Sequence, residues 1–154
     1  MYKPLRHPGA PWTASSSVST PPNEIDVAST VLGLRTLGTF NFDGNPLLQF
    51  VRRCADYFLN WEEPEVRLEA VKTCSRLLRL ALHQPGPTVT TTVSSVLGKL
   101  LIVGITDTDS DVRYWVLASL DDPFDLHLAQ AESLSCLFVA MNDEVFEIRE
   151  IGEY

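Results

Sequence analysis

The sequence lacks most of the short patterns by which enzymes and metalloproteins are recognised. It contains no HExxH or HxxxH pair, no glycine-rich phosphate loop between a strand and a helix, and no G-x-S-x-G nucleophile turn. Its three cysteines form no CxxC pair and lie within apolar helical patterns, which is typical of buried thiols. We therefore expect no cofactor, no metal and no catalytic residue in this chain.

Long hydrophobic stretches are also missing, and basic residues are scarce in the C-terminal half. The start of the chain has no apolar signal-type segment, and the longest apolar run, Leu100 to Ile105, is too short to span a bilayer. From Asp107 onward twelve acidic residues accompany only two arginines, within a net charge of −8. Nucleic acids and anionic membranes attract basic surfaces, so both are disfavoured as direct partners. A basic protein partner and plain solvation of the turns explain the acidic half equally well.

Residues 1–24 differ in composition from the rest of the chain. They combine five prolines with a serine and threonine tract from Thr13 to Thr20. Such segments bury too little apolar surface to offset the entropy of ordering. We expect residues 1–24 to be a disordered leader and residues 25–154 to be the folded part.

Within the folded part, apolar residues recur at helical intervals. The first predicted helix runs from Asp26 to Gly38. The next opens at Pro46, where the missing amide costs nothing, and a stretch rich in threonine and valine after Pro87 keeps helical rather than alternating spacing. The helix that follows Ser110 is predicted to stop at Asp121, Asp122 and Pro123, and a further helix is predicted from about Asp125 to Met141. The sequence thus predicts an all-α protein.

One short pattern recurs where polar turns lead into apolar helices. Its copies are Glu65-Val66-Arg67, Asp111-Val112-Arg113 and Glu147-Ile148-Arg149, separated by 46 and 36 residues. Repeats of this length are typical of stacked helix pairs, as in HEAT and armadillo arrays. The acid suits the positive end of the helix, the aliphatic residue starts the buried stripe, and the arginine can reach carboxylates of its own turn or of the next one.

The repeats predict an α-solenoid of antiparallel helix pairs. Its layout is one helix without its partner, two full pairs, and a third pair whose second helix has only begun at Tyr154. Each repeat buries its apolar face only against its neighbours, so such an array without polar end caps exposes both ends. We therefore interpret the chain as an excerpt, truncated within its last repeat.

Several polar positions allow more than one interpretation. Trp61 occupies the turn position at which the later repeats carry Asp107 and Asp143, and it could anchor a partner or staple the turn. The row Lys72, Arg76 and Arg79 could dock a partner or form a solvated face balanced by Glu65 and Glu69.

The spacing of Asp107, Asp109 and Asp111 matches the start of an EF-hand loop. Val112 stands where that loop needs glycine, and Ala118 stands where it needs glutamate, so calcium binding is not expected. These acids should instead cap the helix and neutralise Arg113. If Arg113 ties successive turns together, its removal should cost about 1–3 kcal/mol of stability.

Three strings resemble the N-terminal HEAT-repeat solenoid of the target-of-rapamycin (TOR) protein kinases, members of the phosphatidylinositol-3-kinase-related family. They are LGLRTLGTFNFDGNPLLQFVRRCADYFLN (32–60), EVRLEAVKTCSRLL (65–78) and KLLIVGITDTDSDVRYWVLASLDDPFDLHLAQAESLSCLFVAMNDEVFEIRE (99–150). The resemblance covers about three fifths of the chain. Residues 1–31 and 79–98 match poorly, and Gly152 to Tyr154 depart from the family pattern.

The resemblance implies a segment of a large Ser/Thr kinase that forms two complexes, TORC1 and TORC2, in growth and nutrient signalling. There the helical array would hold the dimer together and bind companion subunits and other parts of the same kinase. None of the family's catalytic residues falls within this chain. The implied location is the cytoplasm, with the nucleus as an alternative and endomembranes reached only through complex partners.

The sequence leaves three functional hypotheses. The first is a non-catalytic scaffold segment of a TOR-type kinase. The second is a free-standing HEAT-type adaptor that binds peptides or protein partners. The third is an enzyme in its own right, which would have to bind a small-molecule substrate such as ATP, and no sequence feature supports it.

Overall fold

A computed structural model describes residues 26–152 of the chain. The predicted leader, residues 1–24, lies outside them. The helices are α1 (Val27–Gly38), α2 (Gly44–Phe58), α3 (Pro64–Leu82), α4 (Pro87–Thr106), α5 (Ser110–Ala118), α6 (Asp125–Leu128), α7 (Ala131–Ala140) and α8 (Phe146–Gly152). A single 3₁₀ turn, Asp122–Phe124, precedes α6, and residues 26–152 contain no β-strand. The prediction of an all-α fold is confirmed.

The helices form two layers of a stacked array. Helices α2 and α3, α4 and α5, and α7 and α8 pack as pairs, and α1 packs on α3 as a member of a preceding pair would. One layer, here called the B layer, contains α1, α3, α5 and α8. The other, the A layer, contains α2, α4 and α6 with α7. This is the layout that the repeats predicted.

The core lies between the two layers and is densest in the middle of the array. Helix α3 buries ten of its nineteen residues and α4 nine of its twenty. Cys54 and Cys74 are free, buried thiols in this core, and the Cys54 thiol together with burial raises the pKa of Cys74. A smaller cluster around Leu117, Ala140 and Ile148 joins α5, α7 and α8. The pair α7 and α8 is therefore held mainly by its contacts with the pair α4 and α5.

Helix α4 is long and apolar enough to cross a membrane by length and composition. Half of that apolar stretch is buried inside the protein, where α4 packs on helices of both layers. The position of α4 in the core therefore accounts for its hydrophobicity.

Three helix boundaries differ from the predictions. Helix α2 begins at Gly44, two residues before Pro46, and Pro46 still falls in the first turn where no amide is needed. Helix α5 ends at Ala118, where the Ser119 amide donates back to the Trp115 and Val116 carbonyls. The predicted helix from Asp125 to Met141 is divided, because Gln130 has an extended backbone (φ −72°, ψ 146°) between α6 and α7.

Two glycines of α4 offer a matched test of how closely the pair α4 and α5 packs. A Cβ added at Gly104 would lie 2.8 Å from Val116 Cγ1, whereas one added at Gly98 would meet nothing within 4 Å. We expect Gly98→Ala to stabilise by about 0.5–1 kcal/mol through helix propensity. Gly104→Ala should destabilise, since overpacking costs about 1–3 kcal/mol. Urea unfolding of both variants measures the difference, and equal shifts would contradict the packing.

Candidate functional site

The repeated arginines lie near the starts of α3, α5 and α8, beside the turns that connect the two layers. In the first copy, the Arg67 guanidinium donates from Nε and Nη2 to the two carboxylate oxygens of Asp107, at 2.7 and 2.9 Å. Its Nη1 donates to the backbone carbonyls of Trp61 and Glu62, at 2.8 and 2.7 Å. One guanidinium thus closes its own turn and binds the next turn along the array.

Arg113 repeats this arrangement one pair further on. It donates from Nε and Nη2 to Asp143 at 2.8 and 3.0 Å, and from Nη1 to the Asp107 carbonyl at 2.8 Å. Both side chains of this pair are more than 90% buried. Asp143 also accepts from the Val145 amide, as Asp107 does from the Asp109 amide, so each aspartate is fixed by its own turn.

Arg149 makes the same contacts within its own turn. Its Nη1 donates to the Asp143 and Glu144 carbonyls at 2.6 and 3.1 Å, and its guanidinium lies 5.6 Å from the centre of the Phe146 ring. Within residues 26–152, no carboxylate lies at ion-pair distance from Arg149. We call the series Arg67–Asp107, Arg113–Asp143 and Arg149 the arginine ladder.

The ladder perturbs the charged groups that it joins. The hydrogen bond from Arg113 lowers the pKa of Asp143 despite the opposing effect of burial. The hydrogen bonds to Asp107 and Asp143 raise the pKa values of Arg67 and Arg113, respectively. Bidentate bonds between arginine and carboxylate are short and directional, so they fix the register of neighbouring pairs as well as attracting them.

The other triplet positions have separate roles. Val66, Val112 and Ile148 are fully buried, and Glu65, Asp111 and Glu147 lie in the first turns of their helices. Asp109 is the N-cap that accepts from the amides of Asp111 and Val112.

Two predicted ion pairings are wrong. The side chains of Asp107 to Asp111 do not neutralise Arg113, because Asp107 is taken by Arg67 and Arg113 reaches the next turn instead. Glu69 does not pair with the basic residues of its own helix, α3. It lies almost buried against α1, where it accepts two hydrogen bonds from Arg35. In both cases stacking supplies a partner that is more distant in sequence.

Trp61 packs against its own hairpin. Its ring centre is 5.4 Å from that of Phe58, the side chain is half-buried against the main core, and its carbonyl accepts from Arg67. This geometry favours the staple interpretation and leaves only part of the ring for a partner. Trp61 occupies the turn position at which the later repeats carry Asp107 and Asp143, and the carbonyls of all three residues accept from the arginine six residues further on.

The row on α3 is partly engaged within the array. Lys72 Nζ lies 4.5 Å from the centre of the Trp115 ring, and Arg79 donates to Asp121 and to the Ser119 carbonyl, both at 2.9 Å. Arg76 is exposed, and no ion pair is found for it within residues 26–152. Within this row, Lys72 and Arg79 thus have contacts inside the array, while Arg76 is accessible to a partner.

Sequence reasoning missed most of the contacts within the B layer. Ser75 Oγ and Ser119 Oγ are 2.8 Å apart, Thr73 Oγ1 donates to the Leu34 carbonyl, and Lys72 lies over Trp115. The 46-residue offset between the first two triplets brings α3 and α5 side by side. That offset was the signal that could have placed these residues near one another.

The A layer contains a groove of about 460 Å³ between α2, α4 and α7. Leu59, Gly98, Ile102 and Cys136 are among its lining residues. The described residues contain no group of three or more metal-ligating side chains, there or elsewhere. The surface of the groove is mainly apolar.

No protein-family model matches the chain. Serine/threonine-protein kinase mTor of Drosophila melanogaster is 54% identical over 132 residues, covering 82% of this chain. The kinase tor1 of Schizosaccharomyces pombe is 42% identical over 126 residues, and the kinase TOR of Arabidopsis thaliana is 35% identical over 136 residues, each covering 80% of this chain. The similarity extends beyond the three strings quoted above. The chain spans only 5–6% of the length of these relatives.

The ladder predicts unequal effects for two similar substitutions. Arg113→Ala removes bonds to the next turn and leaves the buried Asp143 unpaired, so we expect a loss of about 3 kcal/mol in the free energy of unfolding. Arg149→Ala removes bonds to carbonyls of its own turn and the contact with the Phe146 ring, and we expect a loss of about 1 kcal/mol. Urea titrations measure both losses. Equal losses would mean that the bridge between turns adds nothing.

Asp143 predicts a specific pH dependence of stability. Its pKa is lowered on folding, so its ionised form stabilises the protein fully above the unfolded pKa of about 3.9. That contribution is lost as the pH falls from there through the folded pKa. The difference in unfolding free energy between wild type and Asp143→Asn should therefore be largest near neutrality and shrink below about pH 4. A difference that stays constant with pH would rule this out.

Proposed function

Because the chain belongs to the TOR family of serine/threonine protein kinases as a short segment of their length, we propose that it is a non-catalytic scaffold segment. In this role it supplies helix pairs to a longer array and surfaces to protein partners. No reacting group and no nucleotide site are required of it. The relatives' kinase activity would belong to other parts of those proteins.

The observation that carries this proposal is an uncovered apolar stripe at the end of the array. Leu134, Phe138 and Met141 lie along one side of α7 and its end, at intervals of four and three residues, and are 36 to 64% exposed. Phe146, at the start of α8, is also exposed. In the interior of the array, the corresponding faces of α2 and α4 are covered by the next helix of the A layer.

Arg149 supports the same role from the B layer. It offers the donors with which Arg67 and Arg113 bind an aspartate of the following turn. A neighbouring helix pair with an aspartate in its inter-helix turn would supply both the missing carboxylate and the apolar cover. The occupant is therefore a further unit of the same architecture.

In the cell, this role places the chain in assemblies of the TORC1 and TORC2 type, in growth and nutrient signalling. Its partners would be companion subunits and other parts of the kinase. The proposed location is the cytoplasm or nucleus, with endomembranes approached through partners alone. The excess of acidic residues disfavours direct nucleic-acid binding, which needs a basic surface.

A free-standing adaptor is the second candidate. The observation in its favour is the accessible aromatic and basic surface of the B layer around Trp115. An adaptor of this kind would be a stable monomer whose end faces do not self-associate. The two candidates therefore differ in how the end of the array behaves.

Self-association of the purified chain distinguishes them. A scaffold segment should bind a hydrophobic dye and associate with increasing concentration, because its end face lacks a neighbour. Phe138→Glu should reduce both by more than half. The matched control is Tyr57→Glu on α2, since Tyr57 is 66% exposed and Phe138 is 64% exposed. Dye fluorescence and sedimentation velocity measure the effects.

The outcomes separate the hypotheses. Loss of association in Phe138→Glu, with Tyr57→Glu unchanged, supports the end face as an assembly surface. A monomeric chain that binds no dye favours the adaptor and overturns the scaffold proposal. An equal response of both variants would show that any exposed aromatic residue causes the association.

A further inference from the structure

A basic and aromatic surface lies on the B layer, away from the ends of the array. It consists of Lys72 and Arg76 on α3 and of Tyr114 and Trp115 on α5, and we call it the B-layer patch. Tyr114 is 39% and Trp115 42% exposed, and their rings meet edge to face with centres 6.5 Å apart. Two large aromatic side chains in one exposed place mark a contact surface more often than a solvated one.

The charge of the patch is positive in a chain of net charge −8. Two carboxylates of the same layer are engaged elsewhere, Glu69 with Arg35 and Asp121 with Arg79. No carboxylate of the described residues lies at ion-pair distance from Lys72 or Arg76. The patch therefore keeps two positive charges available.

The acidic surroundings limit how far the positive surface extends. Asp111 is exposed one helical turn before Trp115, and Glu65 is exposed near the start of α3. Both lie towards the N-terminal ends of their helices. An acidic ligand is thus directed away from the start of α3 and towards Lys72 and Arg76.

The spacing of the cations defines the ligand further. Lys72 and Arg76 are one helical turn apart, which is a rise of about 6 Å. Alternate residues of an extended peptide are about 6.5 Å apart and point to the same side. Two acids separated by one residue can therefore face both cations, while a neighbouring apolar side chain lies on Trp115.

We infer that the B-layer patch binds an extended acidic segment of a partner protein, with acids at alternate positions beside an apolar residue. The inference rests on the proposed scaffold function, for which it names a class of partner. Lys72 is held over Trp115 before binding, so the ligand meets an ordered cation beside an aromatic surface. Arg76 supplies the second contact.

Fluorescence anisotropy with a labelled peptide tests the inference on the full chain. The probe is a peptide of about twelve residues that carries two Glu-x-Glu units around one leucine. Arg76→Glu and Trp115→Ala should each weaken binding about tenfold or more, as expected for the loss of a charged or anchoring contact. The matched control is Arg53→Glu, which makes the same charge change at an exposed position of α2 in the A layer.

The possible results are distinct. Weakening by both patch variants, with Arg53→Glu within twofold of wild type, supports the patch. An equal effect of Arg53→Glu would reduce the binding to general charge attraction and overturn the inference. So would no binding at millimolar concentration, or tighter binding of a single-stranded oligonucleotide of equal charge. Failure here leaves the behaviour of the Phe138 face unchanged, so it does not decide the scaffold proposal.

Discussion

The array depends on one interaction that operates between turns. Arg67 and Arg113 each donate to carbonyls of their own turn and to the aspartate of the next turn, so a single side chain fixes both a turn and its neighbour. The aspartates are in turn held by backbone amides of their own hairpins. Because the bonds are bidentate and mostly shielded from water, they define the register in which the apolar faces meet. The hydrophobic cores supply most of the stability, and the ladder decides how they align.

Close packing makes that alignment possible. Gly38 lies against Thr73 and Gly104 against Val116, where larger side chains would hold the helices apart. Small polar residues play the same part between α3 and α5, where Ser75 meets Ser119. The result is continuous packing from α1 to α7, to which α8 is joined by a smaller cluster. Stability should therefore decline towards the C-terminal pair.

The architecture separates two kinds of surface. Helix α7 exposes the apolar stripe of Leu134, Phe138 and Met141, which in the proposed scaffold role a further helix pair would cover. The sides expose charged and aromatic residues that the array does not need for its own stability, and these can differ from one pair to the next. A scaffold needs both surfaces, one for continuity and one for selectivity. In the proposed scaffold role, the stripe on α7 would serve continuity and the B-layer patch would serve selectivity.

The sequence by itself determined the helices, their pairing and the points where pairs are joined. Apolar spacing, proline positions and the recurring triplet are local signals, and they suffice because stacked repeats contact only their neighbours. Tertiary structure decided which charges meet. Arg113 pairs with Asp143 rather than with the carboxylate of the nearby Asp107. Glu69 pairs with Arg35 of α1, and Lys72 lies over the ring of Trp115. These choices depend on the offset between adjacent pairs and on which side chains stacking brings together, and no local pattern contains that information.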